Sequence, residues 1–345
     1  MSIRVNIYDL AVGGEGVGRL ADGRVVFVAG AALNDELVVS ITEEKSRYAR
    51  AEILEVLVPG EGRREPPCQY VEAGCGGCDW QHLSQEAQID AKLAVVEDSL
   101  IKLGSLEPPE IGYVAGPESL KYRTTVRVGI TDGSPAYRAS RSNDLIPVSN
   151  CRVAHPLMDD IFAEGFFGEA QEATIRVGAR TGDRLVMGHP NANDFEMPAD
   201  VLVVDKKKAR RDAKAHIVEE AAGVEWRISA NSFFQSSPEG AEMLVGLAAE
   251  WLTKHDSGEH VLVDLYSGVG LFSGTVGDWF DKVTAVESSR SAVADAQHNL
   301  GGHVTIVGRT VEQWVPELAD VETTLRPGAP RSRSSTTATS SRSTA

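Results

Sequence analysis

Residues 261–307 limit the fold more than any other part of this chain. Val261-Leu-Val-Asp-Leu265 is a short β-rich run, and Tyr266-Ser-Gly-Val-Gly270 follows it directly. Two more such runs, Val283-Thr-Ala-Val-Glu287 and Val304-Thr-Ile-Val307, alternate with helical patterns over Phe272–Phe280 and Ser291–Leu300. Parallel strands need crossover connections of this kind, so the spacing predicts a Rossmann-like α/β sheet. Gly268 and Gly270 would let a ligand approach the backbone at the carboxyl end of the first strand. Glu287 ends the second strand, where a carboxylate can accept hydrogen bonds from both hydroxyls of a ribose. A dinucleotide fingerprint would place another glycine three residues after the second, and Ser273 stands there. Two glycines with a terminal acid suit S-adenosylmethionine, which has no pyrophosphate to cradle. The alternative is a tight turn that packs a helix on a sheet.

The first 57 residues carry a different period. Val5–Leu10, Arg24–Val28, Glu36–Thr42 and Arg50–Leu57 are short β-rich runs. Gly13-Gly-Glu-Gly-Val-Gly18, Asp22-Gly23 and Ala29-Gly-Ala-Ala32 separate them. Four or five strands with turn signals at this spacing predict a small, OB-like β-barrel. Pro59-Gly-Glu-Gly62 reads as a linker. Ser84–Leu103 reads as a helix with a serine N-cap and a stop at Gly104. Residues 111–230 read as mixed strand and loop, and a helix is expected over Glu239–Leu252. The organisation is that of a multidomain α/β protein: a barrel over 1–58, a central α+β domain over 62–230, an incomplete α/β domain over 231–320 and a tail over 321–345. The tail is rich in Ser, Thr and Arg and has almost nothing to bury, so it reads as disordered. Translation out of frame is the favoured explanation, and a genuine tail is the alternative.

The 345 residues are 42% hydrophobic, enough to build two or three ordinary cores. No apolar stretch is long enough to span a membrane, and the start lacks the charged and apolar blocks of a signal peptide. A cytoplasmic protein is expected. The net charge of −16 works against nucleic-acid partners unless a basic patch is local. Lys206-Lys-Lys-Ala-Arg-Arg-Asp-Ala-Lys214, with Lys121, Arg123, Arg127, Arg138 and Arg141, is the candidate phosphate-contacting strip. A solvated face is the alternative. Four cysteines in a cytoplasmic chain do not make a disulfide framework. Cys68, Cys75 and Cys78 fall within eleven residues, and Cys151 follows. Four soft ligands fit tetrahedral zinc or a [4Fe–4S] cluster, and spacing leaves both open. His82 is left unassigned, because a lone histidine beside a cysteine is more often packed than ligating.

These residues together resemble the RNA (uracil-5-)-methyltransferase family. Gly13-Gly-Glu-Gly-Val-Gly-Arg19 looks like part of a TRAM domain, a small RNA-binding β-barrel. Cys75-Gly-Gly-Cys-Asp-Trp-Gln-His82, Tyr122-Arg123, Cys151, Phe233-Phe-Gln235 and Asp264-Leu-Tyr-Ser-Gly-Val-Gly270 follow in that family's order over about residues 3–320. The resemblance implies a [4Fe–4S] cluster on Cys68, Cys75, Cys78 and Cys151, with zinc as runner-up. It implies S-adenosylmethionine bound by Gln235, Tyr266 and Glu287 beside Gly268 and Gly270. Leu271 stands where some relatives carry a polar residue. It also implies an RNA partner, 23S ribosomal RNA before transfer RNA, and a monomer without membrane contact. In that family a cysteine thiolate adds at uracil C6, C5 takes the methyl group and a general base removes the C5 proton. This sequence lacks the Asp-Pro-Pro and Ser-Cys-Asn loops and the later glutamate. All four cysteines belong to the cluster motif. No catalytic residue is therefore assigned, and the chain as written is expected to be inactive. Alternatives are a non-catalytic RNA-binding protein and a relative of the transfer-RNA uracil-C5 methyltransferases. A redox protein is disfavoured, because no flavin or nicotinamide motif is present.

Overall fold

The computed structural model describes residues 2–207, 209, 214–254 and 261–314. The 321–345 tail and much of the 206–214 basic run lie outside them. The chain divides into two compact units, Met1–Val177 with Arg184–Lys207, and Gly178–Asp183 with Lys208–Ala345.

The first unit opens with β1 (Ser2–Leu10), β2 (Gly16–Arg19), β3 (Val25–Val28), β4 (Glu36–Glu44) and β5 (Tyr48–Val58). They close into a barrel in the order β1-β2-β3-β5-β4. Closure removes the unpaired edges of a small sheet. Alternate residues point inward, so Val5, Ile7, Val26, Val28, Leu37 and Val39 form its core. The glycine-rich segment read as a spacer contains a strand. A Cβ on Gly16 would lie 2.6 Å from Ala31, and one on Gly18 would lie 2.2 Å from Val5. The barrel wall needs glycine there, and low β-propensity hides the strand. Asp35 fastens the barrel floor. Its buried carboxylate accepts from the backbone N–H of Ala32 at 2.6 Å and of Gly60 at 2.9 Å, and from Arg63 Nε at 3.0 Å.

Two helices follow, α1 (Gln69–Glu72) and α2 (Gln85–Lys102). Ser84 caps α2 as expected, its hydroxyl accepting from Ala87 N–H at 3.2 Å. Next come β6 (Thr125–Thr131), β7 (Ser134–Arg138), β8 (Leu145–Pro147), α3 (Asp159–Glu164), β9 (Phe166–Phe167), β10 (Glu172–Val177), β11 (Arg184–His189), β12 (Phe195–Glu196) and β13 (Leu202–Asp205). Six strands form one sheet in the order β13-β11-β10-β6-β7-β8, while β12 and β9 pair separately. Val126, Val128, Ile175 and Val186 pack with Met158, Ile161 and Phe162 to make its core.

The second unit holds the hairpin β14 (His216–Ala221) and β15 (Val224–Ser229), then α4 (Pro238–Lys254). Ala222 and Gly223 both have positive φ, 54° and 74°, the turn that suits a two-residue hairpin. Strands β16 (Val261–Leu265), β17 (Lys282–Val286) and β18 (Val304–Val307) form a parallel sheet in that order. Helix α5 (Arg290–Asn299) makes the crossover between the last two. The sequence pattern predicts this α/β alternation correctly. The helix expected over 272–280 differs: the segment is turns and a 3₁₀ helix at Val276–Trp279. Gly274 and Gly277 each disfavour an α-helix interior by about 1 kcal/mol. Gly274 also abuts Trp226, to which a Cβ would come within 2.7 Å.

Among the described residues no helix is long and apolar enough to cross a membrane.

Candidate functional site

The four cysteines line one cavity of the first unit, with a volume of about 100 Å³. Three ride on the 68–78 segment, which folds back onto β7. Cys68 stands at the N-cap of α1, and the N–H of Cys75 donates to Tyr70 O at 2.8 Å. Gly76 N–H donates to Arg138 O at 2.9 Å. A Cβ on Gly76 would lie 2.9 Å from the backbone nitrogen of Ser140, so only glycine fits this approach. Cys151, buried, enters from the loop after β8. Tyr137 on β7 points its hydroxyl at Cys151 Sγ, 3.6 Å away. Burial and the neighbouring Cys151 push this phenol far above its ordinary range. Burial also pushes the Cys75 and Cys78 thiols up, and the neighbouring thiols add to it. Among the described residues no group of three or more His, Cys, Asp or Glu side chains is close enough to share a single metal ion. His82 is buried, and its Nε2 lies 3.1 Å from Ala31 O. Burial lowers its pKa. It packs the segment against the barrel.

In the second unit the loop after β16 carries Tyr266, Gly268 and Gly270, all at positive φ, 59°, 58° and 99°. For tyrosine this conformation is uncommon, and such strain concentrates at ligand-contacting positions. Tyr266 is 68% exposed, and its hydroxyl donates to Glu312 Oε1 at 3.0 Å. That bond raises the tyrosine pKa. Glu287 follows β17, as expected. Its Oε2 accepts from Gly268 N–H at 3.0 Å and its Oε1 from Ser289 N–H at 2.6 Å. Asp264 accepts from Ser273 N–H at 3.1 Å and from the Ser273 hydroxyl at 2.7 Å. Burial, with Glu287 nearby, raises its pKa. Gly270 packs on Leu300, 2.8 Å from where a Cβ would be. Leu271 is buried. Gln235 is half-buried, next to Phe234. The Phe234 ring lies 6.3 Å from that of Trp226.

The loop geometry thus brings Tyr266, Gly268 and Glu287 together. Sequence reading passed over Tyr137, which faces Cys151, Glu312, which holds Tyr266, Asp295, which holds Ser229 and Ser232, and Asn299, which bonds to Arg227 and Val269. The last two were visible only as polar positions one turn apart on a predicted helix. The expected basic strip is partly neutralised. Lys121 pairs with Asp159 at 2.8 Å, Arg127 with Glu172, and Arg141 with Glu15. Arg138 lies 3.6 Å from Glu172.

Residues 2–54 match the TRAM domain family. An uncharacterized RNA methyltransferase of Streptomyces avermitilis is 32% identical over 93% of this chain and 81% of its own length. A Streptomyces coelicolor protein of the same description is 32% identical over 90% and 74%, and one from Thermosynechococcus vestitus is 30% identical over 91% and 80%. Among solved structures, the tRNA (uracil-54, C5)-methyltransferase of Pyrococcus abyssi, in complex with S-adenosyl-L-homocysteine, matches with a TM-score of 0.64. The match covers 88% of this chain and 79% of that one at 20% identity, a likeness of fold.

Proposed function

Because the chain belongs to the RNA methyltransferase family, we propose that it acts as an S-adenosylmethionine-dependent RNA (uracil-5-)-methyltransferase on 23S ribosomal RNA, as a cytoplasmic monomer. The observation that carries this reading is the convergence of Tyr266, the Gly268 amide and the Glu287 carboxylate at the carboxyl ends of two parallel strands. Bound there, S-adenosylmethionine would supply an electrophilic methyl group. Each carboxylate oxygen of Glu287 has more than one lone pair. It can hold the glycine loop and still accept from ribose hydroxyls. Tyr266 offers an exposed ring held by Glu312. Gly268 and Gly270 carry no side chain, and glycine adopts their positive φ at no steric cost. Gln235 is assigned to the same cofactor through the family motif.

Cys68, Cys75, Cys78 and Cys151 are assigned to a [4Fe–4S] cluster, with zinc as runner-up. What supports this is that the four thiols line one cavity instead of lying scattered. Bound there, the cluster would tie the 68–78 segment to Cys151. The barrel and its neighbouring basic side chains are assigned to RNA.

A second reading rests on the same cysteines. The sequence has four, and all four line this cavity. None is left to add to uracil C6. These 345 residues would then bind cofactor and RNA without transferring a methyl group. Calorimetry with S-adenosylhomocysteine tests the cofactor assignment. One site per chain is expected, and no binding would refute it. Tritiated-methyl transfer to unmodified 23S rRNA separates the readings: turnover supports the first and contradicts the second.

A further inference from the structure

Helix α5 carries two buried or half-buried polar residues one turn apart, Asp295 and Asn299, and both reach into neighbouring segments. Asp295 is fully buried. Its Oδ2 accepts from Ser229 N–H at 2.8 Å and from the Ser232 hydroxyl at 2.6 Å, and its Oδ1 accepts from the Ser229 hydroxyl at 2.6 Å. Arg227 Nε lies 3.4 Å from the same carboxylate. Asn299 Oδ1 accepts from Arg227 N–H at 2.9 Å. Its Nδ2 donates to Arg227 O and to Val269 O, each at 3.1 Å.

Val269 lies between Gly268 and Gly270. Arg227, Ser229 and Ser232 lead directly into Phe233-Phe-Gln235. One amide therefore spans the two segments to which the cofactor is assigned. We propose that Asn299, seated by Asp295, is a positioning residue that fixes the distance between the 227–235 segment and the glycine loop, and so the affinity for S-adenosylmethionine. This rests on the cofactor reading given above.

The physical argument is one of matching. An asparagine amide offers one acceptor and two donors in a single plane. Here it answers both backbone groups of Arg227 and one carbonyl of a loop whose glycines are conformationally free. Asp295 accepts three hydrogen bonds at its two oxygens, which anchors the helix face from which Asn299 projects. Leu300 adds contact beneath Gly270 and Gly274.

The test uses the full 345-residue chain and S-adenosylhomocysteine as the probe, titrated calorimetrically well below each variant's melting temperature. Asn299→Ala is expected to weaken binding about tenfold or more. Asn299→Asp keeps the acceptor for Arg227 N–H and loses both donated bonds. It is expected to weaken binding similarly and to speed amide exchange at Gly268 and Gly270, and it is the variant read if Asn299→Ala does not fold. Glu219→Gln is the control for stability alone. Glu219 is buried and stands opposite Trp226 on the hairpin, and its carboxylate accepts from Ala179 and Arg180 N–H at 2.7 and 3.1 Å, bonds that involve neither segment. It is expected to lower the melting temperature and leave affinity unchanged. Binding by the unaltered chain with equal affinity in Asn299→Ala and Asn299→Asp would overturn this inference alone. Affinity loss that follows melting temperature equally in Glu219→Gln would also overturn it. No binding by the unaltered chain would overturn the cofactor reading and this inference with it.

Discussion

At the glycine loop the polar groups already have protein partners. Glu287 accepts from Gly268 and Ser289, Asp264 from Ser273, and Asn299 donates to Val269. At the cysteine cavity, burial drives Cys75 and Cys78 toward the neutral thiol, and the other thiols add to the effect. The first site is built by its own hydrogen bonds, so the proposed ligand would find it formed. The second concentrates sulfur where thiolates are unfavourable without a cation to face them. If the proposed cluster is bound, preorganisation and metal-coupled folding are two solutions to one problem, and they fail differently when altered.

The largest expected effect is on the cavity. Cys78→Ser should lose the iron and lower the stability of the first unit by roughly 3–5 kcal/mol. Iron analysis and denaturant unfolding check it; full iron content in the variant would contradict the ligand assignment.

The barrel floor comes next. Arg63→Ala leaves the buried Asp35 carboxylate with backbone partners only and should cost about 3 kcal/mol. One carboxylate in each unit should also respond oppositely to acid. Burial raises the Asp35 pKa, but Arg63 and the Gly60 and Ala32 N–H groups outweigh it, and the folded value falls below the ordinary 3.8. Its contribution is complete above that value and is lost as pH falls through the lower folded pKa. Asp264 is raised above 3.8, chiefly by burial. Its contribution is present at low pH and is lost as pH rises through the folded value. Unfolding midpoints from about pH 1.5 to 7 check both signs. Asp35→Asn should flatten the acid limb, and Asp264→Asn should remove the loss on the alkaline side.

At the glycine loop Glu287→Ala should weaken S-adenosylhomocysteine binding by roughly 1.5–3 kcal/mol, the range for hydrogen bonds to a charged group. Unchanged calorimetric affinity would remove Glu287 from the site. The smallest effect belongs to the surface. Replacing Lys206 and Lys207 with alanine should lower the slope of log RNA affinity against log salt by up to about 1.4 units, at roughly 0.7 per single-strand contact. A slope that stays put would make that run a solvated face.

Legibility in the sequence followed locality. The α/β strands and the Ser84 cap were readable, because period and capping are short-range signals. Strand β2 was not, since its glycines are required by Ala31 and Val5 across the barrel. The arginine pairings with Glu172 and Glu15 were invisible for the same reason. Cys68, Cys75 and Cys78 announced themselves by spacing. Their meeting with Cys151 and Tyr137 depends on how β7 and the loop after β8 are placed. Asn299 gave no local sign of its role, because its partners lie 30 and 72 residues away.

The central claim is that all four thiols serve one proposed [4Fe–4S] cluster. Iron content and acid-labile sulfide of the anaerobically purified 345-residue chain test it most directly. The expected result is about four irons per chain, as one [4Fe–4S] cluster requires, with none of the four thiols free to alkylate. Stoichiometric zinc without iron, or an iron-loaded chain with one freely alkylated cysteine, would contradict it.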